Sequence, residues 1–309
     1  MIIIGELIHE ALLYASDDEL VQAVVPFLRQ GLALGGAAVA AVTRPNLRLL
    51  RGAMGRDVDA VRFIDRDEWY VRPTSTLARW KALLDDALDR GHDSVRIVGE
   101  VNFGAEERHP SWTRYESAIN EAFRGAPAWI VCPYDRRALP ASIVDSATCT
   151  HPGVMTGADR RESAAYVSPE RFLTTVVEPM TAIAGDLAIR VPITGTVASI
   201  RRMVRAAATA GGWLGGDRVD DLLLALTEVI NNAVRHGRGE GVLWVWAPGT
   251  AVVCEVTDEG PGPADSLVGY RPPDDRSLGG MGLWVARQVC DQLTVENRGG
   301  LTRVRFAIS

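Results

Sequence analysis

Lysine is almost absent from this chain. Lys81 is the only one in 309 residues, and the other 32 of its 33 basic side chains are arginine. A P-loop needs a lysine within a glycine-rich phosphate loop, and no glycine-rich stretch here carries one. Cysteine is also scarce. Cys132, Cys149, Cys254 and Cys290 are far apart and lack metal-ligand spacing, so they read as buried thiols. A net charge of −6 gives no general attraction to nucleic acid. Apolar runs such as Leu32–Val42 contain glycines and stop short of a membrane span. The start has neither the basic stretch nor the small-residue cleavage site of a signal peptide. These absences lead us to expect a soluble cytoplasmic protein with no direct nucleic-acid or membrane partner. Its length suggests about two domains, each able to bury a core.

What is present is concentrated near the C-terminus. Three segments follow in order: Glu228-Val-Ile-Asn-Asn232-Ala-Val-Arg-His236-Gly237, Asp258-Glu-Gly260-Pro-Gly262, and Gly279-Gly280-Met281-Gly282-Leu283. Glu228 and Asn232 stand four positions apart, which places both on one face of a helix. A carboxylate there can orient or deprotonate a nucleophile. An amide carbonyl one turn on can complete the oxygen shell of a magnesium ion held by phosphates. Asp258 ends the strand-like run Val252–Thr257 and suits an exocyclic amine as hydrogen-bond acceptor. Gly260 and Gly262 allow a sharp turn and close approach to a flat base. Gly280 and Gly282 open a helix whose free N–H groups and positive end suit phosphate. Any one segment alone equals a turn or a solvated face. The three in this order describe an ATP site built without a P-loop.

These motifs resemble the nucleotide-binding fold of DNA gyrase, MutL and the histidine kinases, and within it the small anti-sigma factors that act as serine kinases. The resemblance covers roughly residues 187–309. It implies Glu228 as catalytic base, Asn232 on Mg2+, and Asp258 on the adenine amine. It also implies that His236, Gly260, Gly262, Gly280, Gly282 and Thr302 shape the ATP pocket. Thr302 follows Gly299-Gly300-Leu301, one residue later than the family's commoner Gly-Gly-Thr. The implied partners are a sigma factor and a STAS-type anti-sigma-factor antagonist, and a homodimer is left open. Residues 263–278, with Gly269, three prolines and Asp274-Asp275, are expected to form a lid ordered by nucleotide.

The first half alternates strands and helices, which argues for a doubly wound, mostly parallel sheet. The start at Ile2–Ile4 or the next few residues leads to a helix over Asp17–Gln30 and a strand over Ala37–Val42. A short helix (Leu47–Met54), a strand (Ala60–Asp65), a helix (Thr76–Arg90) and a strand (Ser94–Gly99) follow. A helix over Trp112–Phe123 and a strand over Trp129–Tyr134 complete the series. Ligands of such sheets bind at the C-terminal strand ends, where Glu100, Asn102, Tyr134 and Asp135 fall. Gly99-Glu100, Trp112 with Tyr115-Glu116 and Asn120, Cys132-Pro-Tyr134-Asp135 and Thr150-His151-Pro152 resemble the MEDS sensory domain. So do His9 to Tyr14 and Pro26-Phe27-Leu28. That module is akin to RecA-like domains that have lost the P-loop, and the resemblance implies a signal input with an unknown ligand. Glu100, Trp112, Glu116 and Tyr134 are candidate pocket residues. Trp112, Glu116 and Asn120 share a helical face, which also fits a packed face with a satisfied polar pair. His9 reads as structural, and His92, His109 and His151, among turn residues, read as solvated.

The resulting organisation is a MEDS-like domain over 1–150, a linker with one short helix over 151–186, and an ATPase-type α/β sandwich over 187–309. Ser168-Pro169-Glu170 opens the linker helix to about Glu178. That helix is too short for the dimerising hairpin of a histidine kinase. Three functions compete: an anti-sigma-type serine/threonine kinase, an ATP-dependent binding switch without phosphoryl transfer, and a histidine kinase.

Overall fold

The computed structural model describes residues 6–157, 159–178, 180, 182–183, 185–237, 241–271 and 281–309. Two compact units divide it, Met1–Val177 and Glu178–Ser309. Among the described residues no helix is long and apolar enough to cross a membrane.

The first unit runs β1 (Ile8–Tyr14), α1 (Asp17–Ala33), β2 (Ala37–Val42), α2 (Arg44–Met54), β3 (Val61–Asp65), α3 (Arg66–Trp69) and α4 (Pro73–Asp89). It continues with β4 (Val95–Gly99), α5 (His109–Ala122), β5 (Ala128–Asp135), α6 (Ala141–Thr150), β6 (Gly153–Thr156), β7 (Asp159–Glu162) and α7 (Pro169–Thr175). The seven strands form one sheet in the order β3-β2-β4-β5-β1-β6-β7, parallel except where β7 turns back on β6. Local chemistry sets the helix starts. Ser16 accepts the Glu19 N–H ahead of α1, whose first turn carries Asp17, Asp18 and Glu19. Thr43 accepts the Asn46 N–H in the same way at α2.

Side-chain alternation divides the sheet into two buried faces. Leu12 and Tyr14 of β1, Ala38, Ala40 and Val42 of β2, Val98 and Val131 pack with Leu20, Val24 and Leu28 of α1 and Leu50 of α2. The alternate residues, among them His9, Ala11, Ile97, Ile130 and Cys132, are buried on the opposite face.

Residues 151–177, read from sequence as part of a linker, belong to this unit. β6 lies parallel beside β1, and Arg114 of α5 donates to the Leu173 and Val176 carbonyls at the end of α7 (2.7 and 2.5 Å). β6 and β7 are four residues each, too short for a periodic signal.

The second unit comprises β8 (Leu187–Pro192), α8 (Val197–Gly211), α9 (Gly216–His236), β9 (Val242–Trp246), β10 (Val252–Asp258), α10 (Met281–Val289), β11 (Gln292–Arg298) and β12 (Leu301–Ile308). Its antiparallel sheet has the order β11-β12-β10-β9-β8. The inward set Leu243, Val245, Val252, Cys254, Val256, Val304, Phe306 and Ile308 packs against Ile200 and Val204 of α8, Leu222, Leu226 and Ile230 of α9, and Leu283 of α10. This is an α/β sandwich with helices on one face. α9 begins at Gly216 with Gly215 as its N-cap, and Asp217 stands in its first turn.

Candidate functional site

Period-2 alternation places the acceptor carboxylate. Val252, Cys254 and Val256 point inward, so Asp258, at the end of β10, continues on the same face beneath the helices. On β12 the inward series Phe306 and Val304 continues to Thr302, which is paired with Asp258 in the antiparallel register. Asp258 Oδ1 accepts the Gly260 N–H at 2.7 Å. The Thr302 hydroxyl and the Asn297 amide both donate to the Gly260 carbonyl, at 2.8 and 3.0 Å, and Asn297 also donates to Thr302 Oγ1 at 2.9 Å. The turn after Asp258 is thereby held from both sides. Asp258 Oδ2 has no partner among the described residues.

The glycines of this turn are there for space. A Cβ on Gly260 would lie 2.6 Å from Asp258 Oδ1 and 2.7 Å from the His236 carbonyl. Gly262 has φ +70° and sits against Asn297 and Thr302. Across the opening, α9 supplies Glu228 and Asn232 from one face, both half-buried. The first turn of α10 packs on them: a Cβ on Gly282 would stand 2.9 Å from Glu228 Oε2 and 3.3 Å from Asn232 Nδ2. A cavity of about 440 Å³ opens among these elements. Asn232, His236, Asp258, Gly262 and Thr302 all line it, with Val229, Leu283, Val295 and Val304 as apolar wall. Gly280, assigned to the same site, lies outside the described residues.

Burial raises the Asp258 carboxyl above its ordinary pKa; the Gly260 N–H and nearby His236 offset part of that effect. The pocket therefore combines apolar walls for a flat ring, one buried carboxylate with an open oxygen, and a helix start beside a carboxylate–amide pair. That is the usual make-up of a small-molecule site, mostly apolar with a few placed polar groups.

The histidine kinase-like ATPase domain family matches residues 193–308. The MEDS family, the methanogen/methylotroph and DcmR sensory domain, matches residues 8–152. The chain joins a MEDS sensory domain to a histidine kinase-like ATPase domain. No curated protein matches it.

The ATPase domain implies ATP binding, and the residues around the cavity fit that ligand through the open Asp258 oxygen and the glycine-lined turn. Two features of this domain were not visible in its motifs. Asn297 stands opposite Thr302 across the Gly299-Gly300 turn, and its only signal is that register. The expected lid over 263–278 is described only to residue 271. That first part is packed: Leu267 and Tyr270 are buried, and Arg287 lies over the Tyr270 ring at 4.4 Å. Two apolar residues three apart are too few to register as a period. Arg271 pairs with Asp265 at 2.8 Å.

In the MEDS domain the candidate pocket residues divide into two places. Trp112 and Glu116 of α5 and Tyr134 of β5 are fully buried between helix and sheet. Glu100 stands apart, at the C-terminal strand ends. It accepts from the Thr43 N–H and the Asn46 amide at 2.9 Å each and from Arg66 at 3.1 Å. There it lines a cavity of about 270 Å³ with Asp17, Asp135 and Arg137. The separation follows from topology: Glu100 follows the last residue of β4, whereas Glu116 sits midway along a helix covering one face. His151, read as solvated, is completely buried against Glu116, because α6 ends over the sheet instead of in a surface turn.

Proposed function

We propose that this chain is an anti-sigma-type serine/threonine kinase whose ATPase domain phosphorylates a STAS-type antagonist protein, sequesters a sigma factor, and takes its signal from the MEDS domain. The observation that carries this reading is the close approach of Gly282 to both Glu228 and Asn232, whose side-chain ends lie 2.9 and 3.3 Å from where a Cβ on Gly282 would stand. A candidate base and a candidate metal ligand thus lie at the start of α10, beside a cavity of about 440 Å³ that Asn232 lines. Asp258 would accept from the adenine amine, and the start of α10 would face phosphate. Asn232 would hold Mg2+ through its amide oxygen. Mg-ATP supplies the phosphoryl group. Glu228 orients the partner's hydroxyl and takes its proton.

The histidine-kinase alternative is disfavoured by His9, whose side chain is fully buried and so not presented to a phosphate donor. A binding switch without phosphoryl transfer is the remaining alternative. Phosphate incorporation into a purified STAS-type antagonist, measured beside an ATP titration, separates the two. Glu228→Ala should keep ATP affinity and lower transfer by roughly two to four orders of magnitude. Asn232→Ala should weaken magnesium-dependent ATP binding itself. No transfer by the unmodified protein to any antagonist would leave the switch. Transfer by Glu228→Ala at the unmodified rate would remove the base role.

A further inference from the structure

Four side chains far apart in sequence meet inside the MEDS domain. His9 comes from β1, Cys132 from β5, Glu116 from α5, and His151 from the residue after α6. Their candidate donor atoms all lie within 4.8 Å of one another, and all four residues are buried. His9 Nε2 is 3.4 Å from Cys132 Sγ and 3.5 Å from Glu116 Oε2; His151 Nε2 is 3.0 Å from the same oxygen. In a tetrahedron with metal–ligand bonds of about 2.0–2.3 Å, the ligand–ligand edges are about 3.3–3.8 Å. The cluster already has nearly that size.

Hydrogen bonding fixes which atoms face inward. The Asn120 amide nitrogen donates to the Thr150 and Ser117 carbonyls at 2.8 and 3.1 Å. Its oxygen therefore accepts from His9 Nδ1 at 3.1 Å, which leaves Nε2 with a lone pair. His151 Nδ1 likewise faces the Ala147 carbonyl at 2.9 Å. This outer bond is how metal-bound histidines are oriented. A thiol proton shared with His9 Nε2 does not complete the site. Among the described residues neither Glu116 oxygen nor His151 Nε2, all buried, makes an aligned hydrogen bond, although Oε2 stands 3.0 Å from His151 Nε2 and 3.5 Å from His9 Nε2. Groups that converge on one point without aligning on each other fit a missing central cation.

We propose that His9, Glu116, Cys132 and His151 form a four-coordinate site for a divalent cation of the zinc class. Charge supports the choice. Binding replaces the thiol proton, which leaves to solvent, and thiolate plus carboxylate then neutralise a dication, as a fully buried site requires. With four protein ligands the site is closed, the pattern of metals that hold structure and not of those that activate water. It would tie the neighbouring strands β1 and β5 to α5 and the end of α6. The assignment does not depend on the ATP-site reading, because its tests involve no nucleotide.

Because the ligands are buried, the full-length chain should be produced in medium supplemented with zinc or cobalt and then freed of loose metal. We expect about one metal ion per chain by mass spectrometry. The cobalt form should show a thiolate-to-cobalt charge-transfer band and the strong visible bands of tetrahedral cobalt. Cys132→Ser should lose the charge-transfer band, while Cys149→Ser and Cys254→Ser keep it. Asn120→Ala, which releases His9, should lower affinity about 10–100-fold in chelator competition. A folded chain without metal, a thiolate-free octahedral spectrum, or a band that survives Cys132→Ser would overturn the assignment. If Cys132→Ser does not fold, X-ray absorption on the unmodified zinc form decides: one sulfur with nitrogen and oxygen neighbours supports the site, and no sulfur rejects it.

Discussion

Replacing Asp258 by asparagine tests the nucleotide site at one atom. The Gly260 N–H needs an acceptor and finds Asp258 Oδ1 at 2.7 Å. An asparagine oxygen would take that place, which puts its NH2 group where Oδ2 now stands. The carboxylate oxygen that has no partner among the described residues thus becomes a donor. Facing the amine of adenine, two donors meet where a charge-assisted hydrogen bond was available. Loss of such a bond costs about 1.5–3 kcal/mol, or about ten- to 150-fold in affinity. The apo protein should respond in the opposite sense. Burial raises the Asp258 pKa, so its charge opposes folding, and the neutral amide keeps the turn's hydrogen bond. Calorimetry with a non-hydrolysable ATP analogue should show the weakening while the melting temperature without nucleotide is unchanged or higher. Unchanged affinity in a folded variant would refute the argument. Parallel loss of affinity and stability would show that the turn, not the recognition, had failed.

Gly282→Ala adds a methyl 2.9 Å from Glu228 Oε2, the movable end of a side chain, so the fold should persist within about 1 kcal/mol by melting. Phosphate incorporation into the antagonist should fall nonetheless, because the Glu228–Asn232 geometry shifts. Gly260→Ala meets the His236 carbonyl at 2.7 Å, which is backbone and cannot yield cheaply. Denaturant unfolding should show a loss of about 1–3 kcal/mol. Glu178 and Arg287 are a buried ion pair at 3.1 Å, so Glu178→Gln should destabilise by about 3–5 kcal/mol in the same measurement. A change within about 0.5 kcal/mol, as at an ordinary surface position, would show that the pair does not matter.

Legibility in the sequence followed the distance over which each signal acts. The ATPase half was readable because its site is built from local motifs. Glu228 and Asn232 are one helical turn apart, and Asp258, Gly260 and Gly262 fall within one turn of chain. Its strands alternate between a helix-facing and an open side, so their positions and the inward direction of Asp258 follow from period two. Thr302 was harder, since the extra leucine displaces it from the family's spacing. The antiparallel register nonetheless sets it opposite Asp258, because pairing is counted from the strand and not from the glycines.

The MEDS half shows the converse. Its buried parallel strands are short apolar runs that announce a sheet but not a partner order. Neither the strand over Ile8–Tyr14 nor the pairing of β6 beside it had a local signature. His9, Glu116, Cys132 and His151 have no spacing in common, and each alone has an ordinary explanation. They converge because β1 and β5 are neighbours, with Ala11 opposite Cys132, while α5 and α6 return over that same face. A site assembled by topology leaves no motif. Its trace in the folded chain is electrostatic: two buried carboxylate oxygens of Glu116 and the Nε2 of His151, none of them in an aligned hydrogen bond among the described residues. Such atoms cost free energy unless something satisfies them. That cost makes a bound cation a stronger explanation of this cluster than packing alone.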